Sequence, residues 1–265
     1  SVGSWPARWS RRRWLQRIIG ITTLSVTTAV SVAILVQVDR HGPAAAFMGG
    51  WDAPVGIAVV ADRLTGLMLV VGSPVLLAVL LFAIGQPGTE DEQPAFHPVY
   101  LVLAAGIGLS FLTGDLFNLF VAFEMMLTAS YVLMTVGGRT DQVRTGMTYV
   151  VISLIASTLL VSMIGLIYAA TGTVNMADIS ERMVHLPQGV RLAFALMLFV
   201  VFGINAAVFP LFFWLPDSYP SAPTAVTAIF AGLLTKVGVY CIIRTQTLMV
   251  APADRPIGFF LVIAA

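Results

Sequence analysis

Two residues place a charge deep inside an apolar run, Glu124 and Lys236. Glu124 lies in the segment DLFNLFVAFEMMLTASYVL, nine residues after Asp115 and about 14 Å along a helix. Lys236 lies in AGLLTKVGVY, twelve residues into its own run and about 18 Å along it. A charge at the centre of a bilayer costs about 2.5–3.5 kcal/mol or more. We therefore expect both side chains to face a protein interior or a water-filled cavity, and to belong to a functional site.

The types of these two residues suit proton transfer. A buried glutamate can take up a proton, and a buried lysine can release one, whereas arginine stays charged. Lys236 is the only lysine in the chain, since every other basic residue besides the histidines is arginine. The alternative is a buried ion pair that only fixes helix packing, but such a pair often stabilises by less than its desolvation costs. The residue types therefore favour a proton relay.

The composition indicates which elements position the two charges. The chain has 265 residues, of which 58% are hydrophobic and 10% charged, against about 25% charged residues in a soluble domain. Because backbone groups in lipid must be hydrogen-bonded internally, we predict an all-α polytopic membrane protein. Residues 1–265 form one transmembrane domain with about eight helices in this prediction. The predicted spans are 14–37, 62–85, 98–113, 116–137, 146–171, 191–214, 224–243 and an incomplete one at 256–265.

Basic residues predict the orientation. The arginines around the start of the first span are Arg8, Arg11, Arg12, Arg13 and Arg17. The positive-inside rule places them in the cytoplasm, and alternation places the 137–146 loop, with Arg139 and Arg144, inside as well. Segments 38–61 and 171–190 are then outside, and we expect a short amphipathic helical turn within 171–189. The chain starts at Ser1 and stops within an apolar run, so we expect the natural protein to be longer at both ends.

A group of prolines follows the predicted span 191–214. The segment GINAAVFPLFFWLPDSYPSAPTAV contains Pro210, Pro216, Pro220 and Pro223. A proline inside a helix removes a backbone hydrogen bond and kinks the helix, and broken backbone at membrane depth occurs only where protein or water covers it. We expect a kink at Pro210, whereas the three later prolines fit a plain loop equally well. Asn205 precedes the break and Asp217 follows it.

Other kinds of site find little support in the sequence. A single cysteine, Cys241, excludes an intrachain disulfide framework. The histidines are scattered, and no Cys/His cluster suits haem, an iron–sulfur centre or a metal ion. No basic and aromatic surface suggests nucleic acid. We therefore predict no cofactor, no metal, no nucleic-acid partner and no catalytic residue.

Three stretches resemble a known family. GDLFNLFVAFEMMLTASYVL, FPLFFWLPDSYPSAPTAVTAIFAGLLTKVGVY and GGWDAPVGI are similar to the D subunit of the Mrp-type multisubunit Na+/H+ antiporters, a relative of the antiporter-like proton-pumping subunits of respiratory complex I. The resemblance covers essentially the whole chain. It implies an antiporter-like fold with two inverted five-helix repeats, each with a broken helix and a half-channel. This chain would hold the first repeat with flanking helices.

The resemblance also implies roles for four residues. Glu124 matches the family's essential glutamate on helix five, and Lys236 matches the helix-eight lysine that passes protons along a central polar axis. The family's helix-seven motif resembles GIKAA, whereas this chain has GINAA, with Asn205 in place of the lysine. Glu124 would then pair with water or with Lys236, or the half-channel is altered or silent. Asp217 is a candidate for a connection to the cytoplasmic face.

The resemblance implies a membrane subunit of a cation/proton antiporter complex in the bacterial cell membrane, a transporter subunit in place of an enzyme. It would carry protons along a hydrated Glu/Lys path coupled to Na+ export, with other subunits, protons and Na+ as partners. One alternative is an antiporter-like subunit of a complex I or membrane hydrogenase type redox complex, in which an oxidoreductase assembly is implied. Another is a non-conducting scaffold, which Asn205 makes plausible. The quoted GGWDAPVGI and LPDSYPSAP segments favour the antiporter.

Overall fold

The computed structural model describes residues 5–51, 55–86, 95–135, 140–218 and 224–250. Helices dominate this part of the chain, as the sequence predicts for an all-α membrane protein. A π-helical turn, Phe230–Leu234, joins the last two helices, and a 3-10 turn, Met48–Gly50, follows the first strand. The elements are α1 (Trp5–His41), β1 (Ala44–Phe47), β2 (Ala58–Ala61), α2 (Arg63–Gly85), α3 (Phe96–Leu112), α4 (Leu116–Thr135), α5 (Thr140–Thr171), α6 (Met176–Met183), α7 (Gln188–Ala206), α8 (Leu215–Ser218), α9 (Thr224–Ile229) and α10 (Thr235–Leu248).

Six helical stretches among the described residues are long and apolar enough to cross a membrane. They are Arg13–His41, Arg63–Gly85, Leu116–Thr135, Gly146–Thr171, Gln188–Ala206 and Thr224–Leu248. The helix Phe96–Leu112 is apolar but shorter, at 17 residues. The predicted span 256–265, Arg139, Pro220, Pro223 and residues 52–54 of the GGWDAPVGI segment lie outside the described residues.

The helix in the predicted span 191–214 ends earlier than the apolar pattern does, at Ala206. Ala207 adopts a left-handed conformation, with φ 51° and ψ 44°, and its N–H bonds the carbonyl of Ile204 at 3.2 Å. Residues 209–214 form turns that lead into α8. Hydropathy continues past the helix end because these turns are themselves apolar. The chain therefore breaks before Pro210, whereas the sequence predicted a kink at that proline.

A short antiparallel hairpin, which the sequence did not predict, connects α1 and α2. Ala44 pairs with Ala61 and Phe47 with Ala58. The N–H of Gly114 donates to the carbonyl of Ala58 at 2.9 Å, which ties the hairpin to the α3–α4 junction. The alanine-rich strands are only four residues long, so they carry too little alternation to be recognised. The hairpin lies within the segment 38–61 that the orientation prediction places outside.

The first turn of α4, the helix that carries Glu124, is fixed by backbone and side-chain bonds. The carboxylate of Asp115 accepts a hydrogen bond from the N–H of Asn118 at 2.8 Å, as an N-terminal cap does. The N–H of Leu116 donates to Val174, and the N–H of Met176 donates to Gly114, both at 2.9 Å. The starts of α4 and α6 are therefore tied together. These bonds fix the start of α4 against the start of α6.

Helix α6 occupies the segment in which the sequence predicted an amphipathic turn. Asn175 caps its first turn by accepting hydrogen bonds from the N–H groups of Ala177 and Asp178. One face of the helix buries Met176, Ile179 and Met183 against the bundle, while Glu181 and Arg182 are exposed. The spacing of the buried residues is that of an amphipathic helix.

Neighbouring helices connect the two charges found in the sequence. Helix α4 packs against α3 and α5, α5 packs against α7, and α7 packs against α10. The α7–α10 contact is close at Gly238, where a Cβ atom would lie 2.6 Å from the backbone nitrogen of Ala206. Glycine therefore sets the distance between the broken end of α7 and the helix that carries Lys236.

We expect Gly238→Ala to destabilise the protein by about 1–3 kcal/mol, because the added methyl group overpacks a backbone contact. The measurement is thermal unfolding of the purified full-length protein in detergent. Gly165→Ala, in the last third of α5, is the matched control, since a Cβ there meets nothing within 4 Å. Alanine favours a helix over glycine by about 1 kcal/mol, so the control is expected to be neutral or stabilised. Equal melting temperatures for the two variants would contradict this packing.

Candidate functional site

Glu124 accepts a hydrogen bond from a hydroxyl group on the neighbouring helix. The residue lies two turns into α4 and is half-buried. Ser157 of α5, which is 9% exposed, donates its Oγ–H to Glu124 Oε1. Within the described residues, no ion pair joins Glu124 to Lys236. The sequence analysis named water or Lys236 as the partner of Glu124. The structure shows a serine as its partner.

Lys236 lies just after the π-helical turn, on a face that is exposed over the described residues. Its ammonium group donates to the carbonyl of Ala231, within the π turn, and to Thr235 Oγ1 at 3.3 Å. Val239 and Ile243, three and seven residues further on, are exposed on the same face. The described residues therefore satisfy the charge only from its own helix and leave this face uncovered. π-helical turns within α-helices are frequent at functional sites.

Asn205 lies one residue before the end of α7 and borders a small internal cavity. Its side-chain amide donates to the carbonyl of Val201 at 3.1 Å. The cavity offers about 10 Å³ to the centre of a water molecule, enough for about one water. Its lining residues are Met126, Leu127, Tyr149, Ile152, Ser153, Ile204, Asn205, Trp214 and Leu234. The cavity thus touches α4, α5, the broken end of α7 and the turn that precedes Lys236.

The four predicted site residues do not form one cluster. Met126, on the cavity wall, follows Glu124 by two residues, and Leu234 precedes Lys236 by two. Asp217 lies in α8, a single helical turn that packs against α5. Asn205 is the one predicted residue that lines the cavity itself.

Sequence reasoning missed a buried polar network around Arg244. Arg244 is 8% exposed. It forms an ion pair with Asp62, and it donates to Thr65 Oγ1 at 2.9 Å and to the hydroxyl of Tyr240 at 3.1 Å. Tyr240 in turn donates to the carbonyl of Phe111 at 2.7 Å. The network joins α2, α3 and α10, and the Tyr240–Arg244 spacing of four residues on one helix face is its only trace in the sequence.

The ionised form of Asp62 is favoured in the folded protein. Burial acts to raise the pKa of Asp62, but hydrogen bonds from Arg244 and from the N–H of Thr65 outweigh burial, so its pKa lies below the usual 3.8. A lowered carboxylate pKa stabilises the folded state fully above the usual value, and the contribution is lost as the pH falls through the lowered value. The Asp62–Arg244 pair is therefore complete at neutral pH.

A larger cavity, of about 590 Å³, lies beside this network. Residues of the hairpin, α6 and the end of α10 line it. The lining includes two ion pairs, Asp62 with Arg244 and Asp178 with Arg182. Arg182 donates to Asp178 at 2.9 Å, and this hydrogen bond holds the pKa of Asp178 below its usual value. The cavity borders both segments that the orientation prediction places outside.

We expect Asp62→Asn to lower the free energy of unfolding at pH 7 by about 3 kcal/mol, because the substitution leaves the buried Arg244 without its counterion. Asp39→Asn is the matched control. Its carboxylate bonds Arg63 at 3.1 Å, but both side chains are about two-thirds exposed or more, and such pairs contribute under about 1 kcal/mol. Denaturation curves of the full-length protein in detergent compare the two. Similar losses in both variants would contradict a structural role for the buried network.

Comparison with known proteins identifies the family. Residues 113–265 match the family model described as NADH:quinone oxidoreductase/Mrp antiporter, TM. The D subunit of the Na(+)/H(+) antiporter of Alkalihalophilus pseudofirmus is 43% identical over 249 residues, which cover 94% of this chain and 50% of that protein. The protein of the same name from Bacillus subtilis is 38% identical, with 89% and 48% covered. The chain spans about half the length of the curated relatives it matches.

Solved structures show the same architecture. A chain of the Mrp complex from Dietzia sp. DQ12-45-1b superposes with a TM-score of 0.81 at 32% identity, covering 91% of this chain and 45% of that one. A chain of the membrane-bound sulfane sulfur reductase, an archaeal respiratory membrane complex, gives a TM-score of 0.83 at 26% identity, with 94% and 51% covered. These similarities and the six apolar helices make this a multi-pass bacterial membrane protein. The chain belongs to the NADH:quinone oxidoreductase/Mrp antiporter transmembrane family.

Proposed function

We propose that the chain is part of a membrane subunit of a cation/proton antiporter complex, and that it carries protons between Glu124 and Lys236 in a process coupled to Na+ export. The observation that carries the proposal is the water-sized cavity between α4, α5, α7 and the π turn. Its walls come from the helix of each charge and from the helix break between them. A site of this kind can hold water where a proton must cross between helices.

Each site residue has a distinct role in this proposal. Glu124 binds a proton when the half-channel is loaded and releases it toward Lys236, whose amine carries it further. Asn205 cannot take up a proton, but its amide lines the cavity and can orient water there. Asp217, after the break, connects the path to the cytoplasmic face. The chain itself supplies neither a redox centre nor enzymatic chemistry in this proposal.

The exposed face around Lys236 supports a path that continues beyond the described residues. Ionisable residues within a bilayer face a protein interior or a water-filled cavity, because contact with lipid is costly. The face formed by Lys236, Val239 and Ile243 is uncovered here. We assign it to contact with the remainder of the full-length subunit. Residues 1–265 then form one transmembrane domain, the first inverted repeat with its flanking helices, and other subunits complete the assembly.

A second candidate is a proton-pumping subunit of a redox complex. The similarity to a chain of the archaeal sulfane sulfur reductase complex favours it. The relatives named as antiporter D subunits share more of the sequence, with up to 43% identity against 26%. This difference favours the antiporter, in which Na+ and protons are the transported partners.

The test is Na+-dependent proton flux in everted membrane vesicles from a host that lacks the gene, complemented with the full-length protein and its complex. A preset pH gradient is followed by acridine orange fluorescence. We expect Na+ to dissipate the gradient only when the protein is present. Proton pumping that requires a quinone or sulfur substrate and ignores Na+ would favour the redox complex. Wild-type flux without the protein would reject the proposal.

A further inference from the structure

A line of hydroxyl groups runs along one face of α5. Tyr149, Ser153 and Ser157 are spaced four residues apart, which places them on one side of the helix. All three are buried. Buried hydroxyl groups need hydrogen-bond partners, because an unpaired one in an apolar setting costs free energy. We call these three residues the hydroxyl column.

Each member of the column meets a polar group on α4. Ser157 donates to the carboxylate of Glu124, and the side chain of Ser153 lies close to that of Tyr131. Ser153 and Tyr131 therefore bring a second pair of hydroxyl groups to this interface, one helical turn along α5 from Ser157.

The third contact is at the other end of the column. The hydroxyl of Tyr149 lies 3.0 Å from Ser130 Oγ. Because Ser130 donates its own hydrogen to the carbonyl of Leu127 at 2.6 Å, Tyr149 is the donor to Ser130. The rings of Tyr131 and Tyr149 also meet edge to face, with centroids 5.4 Å apart. The two helices thus meet through several polar groups within an apolar interface.

The column leads from the cavity to Glu124. Tyr149 and Ser153 line the water-sized cavity together with Asn205 and Trp214, whereas Glu124 and Ser157 do not. Ser157 follows Ser153 by four residues, a rise of about 6 Å along the helix, which one water molecule can bridge. Along α5, Ser153 therefore lies at the cavity beside Tyr131, and Ser157 lies one turn further on, beside Glu124.

We propose that this hydroxyl column loads Glu124 with protons from the cavity beside the helix break. The inference rests on the proposed function, because it supplies the route by which the carboxylate is protonated. A protonated water in the cavity gives a proton to Ser153 Oγ, whose own O–H proton passes to the bridging water. That water gives a proton to Ser157 Oγ as the serine O–H bond breaks toward Glu124 Oε1. Each hydroxyl recovers a proton, so one proton moves from the cavity to the carboxylate.

Asn205 gives this route its importance. An amide neither binds nor releases a proton at neutral pH, and the Nδ2 group of Asn205 already donates to Val201. The column reaches Glu124 along α5 and never requires Asn205 to change its protonation. Glu124 can therefore be loaded from the same cavity that Asn205 borders.

Two variants at Ser157 separate a relay from simple helix packing. Ser157→Ala removes only the hydroxyl, and Ser157→Thr keeps the hydroxyl but adds a methyl group at a buried position. A relay requires the hydroxyl, so threonine should work and alanine should fail. A packing role gives the opposite order, because alanine fits the space and threonine overpacks it.

The experiment measures initial rates of Na+-dependent proton flux in everted vesicles that contain the full-length protein in its complex, normalised to its amount in the membrane. We expect Ser157→Ala to lower the rate about tenfold, as loss of one hydrogen bond to a charged group implies, and Ser157→Thr to stay close to wild type. Ser162→Ala, at an exposed position of the same helix, is the control and should keep the wild-type rate. A full rate in Ser157→Ala, or a lower rate in Ser157→Thr than in Ser157→Ala, overturns the relay.

Two further variants complete the test. If Ser157→Ala does not reach the membrane, Ser153→Ala decides, since it removes the one serine hydroxyl of the column that lines the cavity; it should lower the rate similarly, and a wild-type rate there overturns the relay. Glu124→Gln separates the two proposals. Retained flux in Glu124→Gln rejects the proposed function itself, whereas loss of flux in Glu124→Gln with full flux in Ser157→Ala rejects only the relay.

Discussion

Glu124→Gln is expected to abolish Na+-dependent proton flux without removing the protein from the membrane. Glutamine has the same shape, and its side-chain carbonyl can still accept the hydrogen bond that Ser157 donates. What it loses is the ability to bind and release a proton. A positioned proton-transfer group contributes about 100-fold or more to a rate, so we expect at least that loss.

The measurement is the initial rate at which acridine orange fluorescence recovers when Na+ is added to everted vesicles. The amount of protein in the membrane is checked by immunoblot. Glu181→Gln is the matched control, because Glu181 is an exposed glutamate on α6 outside the spanning helices. It should keep the wild-type rate. Glu124→Asp keeps a carboxyl group but withdraws it from Ser157, and should retain part of the rate. Flux in Glu124→Gln equal to that of Glu181→Gln would show that this carboxylate carries no proton.

The sequence predicted those parts of the fold that depend on continuous apolar length. The span 62–85 corresponds to α2 (Arg63–Gly85), because a run of about 20 apolar residues has one low-energy form in lipid. The hydropathy pattern did not predict where α7 ends. The turns after Ala206 are as apolar as the helix before them, and only the left-handed conformation of Ala207 ends it.

Contacts between distant segments were the part of the site that the sequence could not supply. The charge of Glu124 was recognisable from its depth alone, but its partner Ser157 lies 33 residues away, and many serines in this chain look equivalent along the sequence. The network around Arg244 was missed for the same reason, since its partner Asp62 is 182 residues earlier. The four-residue spacing of Tyr149, Ser153 and Ser157 was present in the sequence. This spacing indicates a polar contact between helices only once α4 is known to pack against α5.

Lys236→Arg is expected to reduce Na+-dependent flux at least about 100-fold, close to the loss in Lys236→Ala, because arginine keeps the positive charge but does not release its proton. Lys236→Arg distinguishes a fixed charge from a proton carrier, which Lys236→Ala alone cannot do. A lysine that only provides a fixed charge, or only holds the π turn through Ala231, could be replaced by arginine with little loss. A lysine that carries a proton could not.

The substitution is also sterically mild over the described residues, since Lys236 is exposed there. Arg63→Lys is the matched control, a charge-conserving change at an exposed residue at the start of α2, and it should leave the flux unchanged. The rates of all three variants are compared at equal amounts of protein in the membrane. If Lys236→Arg keeps the wild-type rate while Lys236→Ala loses it, the residue acts through its charge, and the proton must leave Glu124 by another route. If both lose it, the deprotonation of Lys236 explains why the chain has its single lysine at this position.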